Sequence, residues 1–126
     1  MNKIDPHPNV AFSLNGSNVS VVPATGERLS ETLRERLGTR DVKIGCNAGD
    51  CGACTVLVGR LQNGVLHYEP VNACIRLTAS LDACHVVSIE YLSGNDGKLH
   101  PVQKAMVDHH GSQCGFCTPG FVMSLY

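Results

Sequence analysis

The protein has 126 residues, with 10 basic residues (Lys and Arg) against 11 acidic residues (Asp and Glu) and a formal net charge of −1. This length suits one small domain, or one domain followed by part of another. The balanced charge argues against a nucleic-acid partner, and no apolar run approaches the ~20 residues of a membrane span.

The first part of the chain predicts a β-hairpin followed by a helix. Residues 10–14 and 19–22 are apolar, strand-like segments, and Asn15-Gly16 between them is a strong hairpin signal. In residues 27–37, leucine recurs at every fourth position, which places the leucines on one helical face. Gly38 then follows as the residue that ends the helix.

Three further β segments are predicted after this helix. Residues 55–58 are rich in β-branched side chains, residues 61–68 suit a turn with a short edge strand, and residues 86–89 suit another strand. The composition of residues 93–97 predicts a linker.

Beyond the linker the sequence predicts helices. Pro101 suits the first turn of a helix over residues 101–110. Thr118 and Pro119 repeat this arrangement, with Thr118 predicted as the N-cap and Pro119 at the first helical position of a helix reaching Tyr126.

Seven cysteines are the most informative feature of the composition. Their number is odd, and residues 1–6 lack the apolar core of a signal peptide, so we predict a cytoplasmic protein that uses its cysteines for metal or redox chemistry. Cys46, Cys51 and Cys54 have the C-x4-C-x2-C spacing of a plant-type [2Fe–2S] site, and Cys74 supplies a fourth thiolate. The glycines in this loop permit sharp turns that point backbone N–H groups at the sulfurs.

A second pair, Cys114 and Cys117, has the C-x2-C spacing. A thioredoxin-like pair would follow a strand, whereas this pair lies between two predicted helices. Two thiolates do not complete a metal site, so the pair needs ligands from elsewhere. An alternative is a zinc site that joins this pair to Cys51 and Cys54, which would leave Cys46 unused.

Several segments together resemble the iron–sulfur region of molybdenum hydroxylases. They are the cysteine loop 45–56, the segments 71–76, 99–103 and 106–108, and above all Gln113-Cys114-Gly115-Phe116-Cys117-Thr118-Pro119-Gly120-Phe121-Val122-Met123. Segments 71–76 and 106–108 are most similar to small subunits of bacterial xanthine dehydrogenases.

The resemblance implies an α+β fold. A β-grasp, plant-type ferredoxin-like domain is expected at residues 8–93, followed at 98–126 by the first part of an all-α helical-bundle domain that binds a second [2Fe–2S] cluster. It implies that Cys46, Cys51, Cys54 and Cys74 bind the first cluster, and that Cys114 and Cys117 form half of the second site. A later C-x-C would complete that site.

For function, the resemblance implies electron transfer in purine catabolism, from a molybdenum centre through [2Fe–2S] clusters to FAD and NAD. The expected partners are the rest of the small subunit, with its FAD domain, and a large subunit that binds molybdopterin. Gln113 matches a residue that contacts the pterin. The fragment alone is not expected to turn over substrate. The alternatives are a molybdenum hydroxylase acting on an aldehyde, an N-heterocycle or carbon monoxide, and a free-standing ferredoxin carrier.

The remaining residues are given structural roles. We predict that Cys84 is a structural thiol, that His100 marks a helix entry, and that Arg28, Arg34 and Arg36 are solvated. Without two later helices, an apolar patch would be left partly bare, and we expect it either to self-associate or to fray. Its members are Val102, Met106, Phe121, Val122 and Leu125.

Overall fold

The computed structural model describes residues 9–93 and 97–126. Three predictions therefore fall in part outside the described residues: the absent export segment at 1–6, the domain start at residue 8, and residues 94–96 of the linker. Within the described ranges, no helix is both long and apolar enough to cross a membrane.

A five-stranded mixed sheet forms the body of the fold, in the order β2-β1-β5-β3-β4. β1 runs parallel to β5, and the other neighbouring strands are antiparallel. This sheet and the helices around it confirm the predicted α+β class. The strands are β1 (Val10–Leu14), β2 (Ser17–Val21), β3 (Thr55–Gln62), β4 (Val65–Asn72) and β5 (His85–Val87).

The β3–β4 hairpin is longer than the sequence predicted. The predicted turn and edge strand at 61–68 are both present, but the strand is not short: β3 continues to Gln62 and β4 is a full eight-residue strand at the sheet edge. The turn lies at Asn63-Gly64, where both residues adopt positive φ angles of 52° and 78°. Most of β4 is exposed on the sheet edge, so its side chains lack the alternation that would have revealed it.

The helix predicted over residues 27–37 is present, and two of its leucines are buried as expected. Helix α1 (Leu29–Glu31) continues as a π-helical turn over Thr32–Arg36. Leu29 and Leu33 are fully buried. Gly38 adopts a φ of +67°, as expected for a residue that ends a helix.

The sheet separates two apolar cores, as the two-residue period of a strand requires. Val56 and Val58 of β3 and Val86 of β5 point into the larger core, which also holds the α1 leucines. Leu57 and Val87, their neighbours in sequence, point into the smaller core on the other face.

The smaller core joins the helical part of the chain to the sheet. Helix α2 (Pro101–Asp108) ends two residues before the predicted His110, and helix α3 (Thr118–Leu125) follows the second cysteine pair. Val122 and Met123 are buried in this core, so the prediction that Val122 is bare was wrong. Phe121 and Leu125 remain 59% and 66% exposed, as predicted.

Glu27 links α1 to the segment that follows Cys74. Its carboxylate accepts a hydrogen bond from the Thr32 hydroxyl and pairs with Arg36 at 2.8 Å, and its carbonyl accepts the Thr78 amide at 3.0 Å. Burial alone would raise the pKa of Glu27, but hydrogen bonds from Thr32, the Ala24 amide and Arg36 outweigh it, so its pKa lies below the ordinary 4.5.

A pH prediction follows from Glu27. Because the folded-state pKa is below the unfolded value, the carboxylate stabilises the fold above about pH 4.5, and this contribution is lost as the pH falls further. We expect Glu27→Gln to lower the free energy of unfolding at pH 7 while leaving stability near pH 3 almost unchanged. Urea unfolding at both pH values checks this; equal losses at the two values would contradict it.

Candidate metal centre

The β3–β4 hairpin brings two distant cysteines together. Cys54 lies just before β3 and Cys74 just after β4, where Thr55 pairs with Asn72. The Ala73 amide donates to the Cys54 carbonyl at 3.3 Å, and the Cys74 amide donates to Cys54 Sγ at 3.4 Å. Both side chains are buried, so this half of the site belongs to the protein interior.

Cys46 and Cys51 form the exposed half of the site. Cys46 Sγ accepts amide hydrogen bonds from Ala48 at 3.3 Å, Asp50 at 3.2 Å and Cys51 at 3.3 Å. Cys51 Sγ accepts from the Cys46 and Ala53 amides, each at 3.4 Å.

Gly49 links the two halves. Its amide donates to Cys74 Sγ at 3.3 Å, and its carbonyl accepts a hydrogen bond from the Asn72 side chain at 3.1 Å. Each of the four sulfurs therefore accepts at least one backbone N–H, an arrangement that stabilises negative charge on sulfur.

Glycine is required where the loop approaches the sulfurs. A Cβ atom at Gly45 would lie 2.6 Å from Cys51 Sγ. Gly49 and Gly52 both adopt a φ of +74°, in the left-handed region that glycine enters without steric cost. The glycine pattern predicted from the sequence is thus used for close approach and for sharp turns.

The thiols of this group differ in acidity. Amide hydrogen bonds from Cys51, Ala48 and Asp50 lower the pKa of Cys46 to about 6. Burial raises the pKa of Cys54 to about 11. Cluster binding needs all four groups as thiolates, so binding would release the Cys54 proton. Four cysteine sulfurs surrounded by amide donors and glycines are a donor set that fits a [2Fe–2S] cluster.

Cys114 and Cys117 lie on the exposed loop between α2 and α3. They line a cavity of about 230 Å³ together with Gln113, Met106 and Phe121. Gln113 is thus placed beside both cysteines. Within residues 9–93 and 97–126, no other cysteine lines this cavity.

The zinc alternative conflicts with this geometry. It would take Cys51 and Cys54 away from the hydrogen-bonded set that they form with Cys46 and Cys74. We therefore favour the grouping of Cys46, Cys51, Cys54 and Cys74.

The structure corrects one capping prediction and supports another. Cys117, not Thr118, lies at the N-cap of α3, and the Thr118 hydroxyl instead pairs with the Ser112 hydroxyl at 2.7 Å. His100 marks the entry of α2 as predicted: its Nδ1 accepts the Val102 amide at 3.2 Å. Cys84 is buried in the larger core, in agreement with a structural role.

Sequence reasoning missed Arg28. It was predicted to be solvated, but its Nη1 donates to the Cys74 carbonyl at 2.9 Å and so supports the loop that carries this cysteine. Arg34 and Arg36 also bind protein groups: Arg34 donates to the Val42 carbonyl at 2.9 Å, and Arg36 pairs with Glu27. The Arg28 contact spans 46 positions, so no local pattern could have revealed it.

Two family models match the chain. A 2Fe-2S iron-sulfur cluster binding domain matches residues 12–77, and a [2Fe-2S] binding domain matches residues 88–126. The xanthine dehydrogenase/oxidase of Mus musculus is 47% identical over 121 residues, covering 93% of this chain and 9% of that protein. The chain belongs to the iron–sulfur domains of the molybdenum hydroxylase family.

Other members of this family give the same result. Aldehyde oxidase 1 of Oryctolagus cuniculus is 42% identical over 129 residues, covering 98% of this chain and 9% of that protein. The structure of quinoline 2-oxidoreductase from Pseudomonas putida 86 matches with a TM-score of 0.79 and 31% identity, covering 94% of this chain and 68% of that one. The chain thus spans 9% of the length of the xanthine dehydrogenase/oxidase and of the aldehyde oxidase to which it is similar.

Proposed function

We propose that this chain is the iron–sulfur electron-transfer part of a xanthine dehydrogenase. The observation that carries the proposal is the set of four cysteine sulfurs held by backbone amides of one glycine-rich loop and one hairpin end. A bound [2Fe–2S] cluster supplies one-electron acceptor and donor chemistry. The similarity to oxidoreductases of the molybdenum hydroxylase family supports this role.

The ligands are assigned residue by residue. Cys46, Cys51, Cys54 and Cys74 would hold the first cluster, within a domain at residues 8–93. Cys114 and Cys117 would supply half of the ligands of the second cluster, within a domain that begins at residue 98, and a C-x-C elsewhere in the small subunit would supply the rest. Gln113, beside the second pair, would contact the pterin of the molybdenum cofactor.

The whole enzyme would contain parts that this chain does not supply. We infer an FAD domain in the small subunit, a large subunit that binds molybdopterin, and NAD as the final electron acceptor, all in the cytoplasm. The residues described here would hold the relay, and substrate hydroxylation would occur on the large subunit, so this chain alone would not turn over xanthine.

A second candidate function is the same relay in a molybdenum hydroxylase with another substrate. The similarity to an aldehyde oxidase and to a quinoline oxidoreductase favours this candidate over a free-standing ferredoxin carrier. A dedicated carrier also has no evident use for the cavity that Gln113, Cys114 and Cys117 line.

The choice of substrate is tested on the complete enzyme under anaerobic conditions. We expect xanthine to produce the electron paramagnetic resonance signals of reduced [2Fe–2S] clusters, with dithionite as the control that reduces them without substrate. Reduction by an aldehyde or by quinoline, but not by xanthine, would select the second candidate. Reduction by dithionite alone, with every substrate inactive, would contradict both.

A further inference from the structure

Gly120 makes an unusually close contact with the first cysteine loop. It is the third residue of α3 and is buried. A Cβ atom at this position would lie 1.9 Å from the Gly52 carbonyl oxygen, 2.7 Å from its carbon and 3.2 Å from the Ala53 nitrogen. These are backbone atoms, which cannot rotate away as the end of a side chain can. Only glycine therefore fits here unless α3 moves.

The surface that Gly120 meets is firmly held. The Gly52 carbonyl accepts the Thr55 amide at 3.1 Å and the Thr55 hydroxyl at 2.6 Å. Gly52 itself lies between Cys51 and Cys54, two of the four proposed ligands. Helix α3 thus packs directly onto the backbone segment that joins two ligands of the first site.

Helix α3, on the other side of this contact, is also held in place. Cys117 is the N-cap of α3, and its carbonyl accepts the Phe121 amide at 3.3 Å. Val122 and Met123 anchor α3 in the smaller core. Cys117 is therefore joined to Gly120 by a short helical segment that has little freedom to move.

A second contact lies on the same side. Phe116, between the two cysteines of the second pair, places its ring 3.5 Å from where a Cβ of Gly45 would lie. Gly45 immediately precedes Cys46. The second cysteine pair thus meets the first loop at two points, through the Phe116 ring and through the Gly120 backbone.

We propose that Gly120 is a positioning residue that fixes the separation between the Cys114–Cys117 half-site and the first cysteine loop, with Phe116 as the second contact of the same joint. The inference rests on the proposed function, because the separation matters only when both sites hold metal. Electron transfer between two metal groups falls steeply with distance, so this joint would set the rate of exchange between them. If Gly120 had no such role, Gly120→Ala would be expected to stabilise helix α3, because alanine has a higher helix propensity than glycine.

The test uses the complete enzyme with Gly120→Ala. The matched control is Ser124→Ala, which removes the hydroxyl that donates to the Gly120 carbonyl at 2.9 Å but adds no Cβ atom facing Gly52. With both clusters reduced, two unpaired spins held close together would couple magnetically, and this coupling would split their electron paramagnetic resonance signals. We expect Gly120→Ala to keep its iron content and the signal of each cluster while losing most of the splitting. Ser124→Ala should retain the wild-type splitting. Wild-type splitting in Gly120→Ala would overturn the inference.

A second measurement does not depend on cluster assembly. In the cluster-free protein, hydrogen exchange of the backbone segment 52–55 should become faster in Gly120→Ala, because α3 no longer covers it. Phe116→Ala, which introduces no clash, should also reduce the splitting of the loaded enzyme, to a smaller extent. Unchanged exchange at 52–55 would overturn the inference even if Gly120→Ala failed to take up a cluster. Failure of the proposed function would appear differently, as wild-type protein that lacks iron and sulfide.

Discussion

Cys51→Ser should remove the first [2Fe–2S] cluster, with a loss of about two iron and two sulfide atoms per chain. Cys51 Sγ accepts amide hydrogen bonds from Cys46 and Ala53, so the site is arranged around a sulfur at this position. A serine hydroxyl remains protonated at neutral pH and is a poor ligand for iron that prefers thiolates. We expect bleaching of the visible absorption, measured together with iron and acid-labile sulfide.

Cys84→Ser is the matched control for this experiment. Cys84 is buried in the larger core, and its Sγ lies 3.6 Å from the Asp82 carbonyl oxygen. Burying a hydroxyl here should lower the free energy of unfolding by about 1–3 kcal/mol without removing iron. Loss of the cluster in Cys84→Ser, or its retention in Cys51→Ser, would contradict the proposed ligand set.

Gly45→Ala should also abolish the cluster while leaving the fold intact. Gly45 is exposed and does not require a positive φ, so alanine imposes no backbone strain. Its Cβ would nevertheless lie 2.6 Å from Cys51 Sγ, and a sulfur bound to iron could not move aside. We expect near-complete loss of iron with little change in thermal unfolding of the cluster-free protein, measured by circular dichroism.

Gly26→Ala is the control that distinguishes the effect of the contact with Cys51 from the effect of backbone strain. Gly26 adopts a φ of +75°, but a Cβ there would meet no atom within 4 Å. The left-handed conformation should cost alanine about 1–2 kcal/mol of stability. The cluster should be retained in this variant. Equal loss of iron in Gly45→Ala and Gly26→Ala would show that general destabilisation, rather than contact with Cys51, removes the cluster.

Local patterns were sufficient to predict much of the fold. The Asn15-Gly16 turn, the leucine spacing of α1 and the Pro101 start of α2 each depend on residues close in sequence, and all three are present. The grouping of Cys46, Cys51 and Cys54 was predictable for the same reason, because one short loop holds them. Cys74 was predictable only through its position after a hairpin.

The features that sequence reasoning missed depend on distant contacts or on exposed surface. β4 is an exposed edge strand, so no burial pattern marked its eight residues. The contact of Arg28 with Cys74 and that of Gly120 with Gly52 join residues far apart in the chain. The error at Thr118 arose because its hydroxyl pairs with Ser112 rather than with the start of its own helix.

Metal and sulfide analysis of this chain, purified without oxygen, tests the central claim most directly. The four-cysteine site predicts about two iron atoms and about two acid-labile sulfides per chain. A reduced sample should also give the electron paramagnetic resonance signal of a [2Fe–2S] cluster. About one zinc per chain with no labile sulfide would contradict the account, since a four-thiolate zinc site contains no inorganic sulfide.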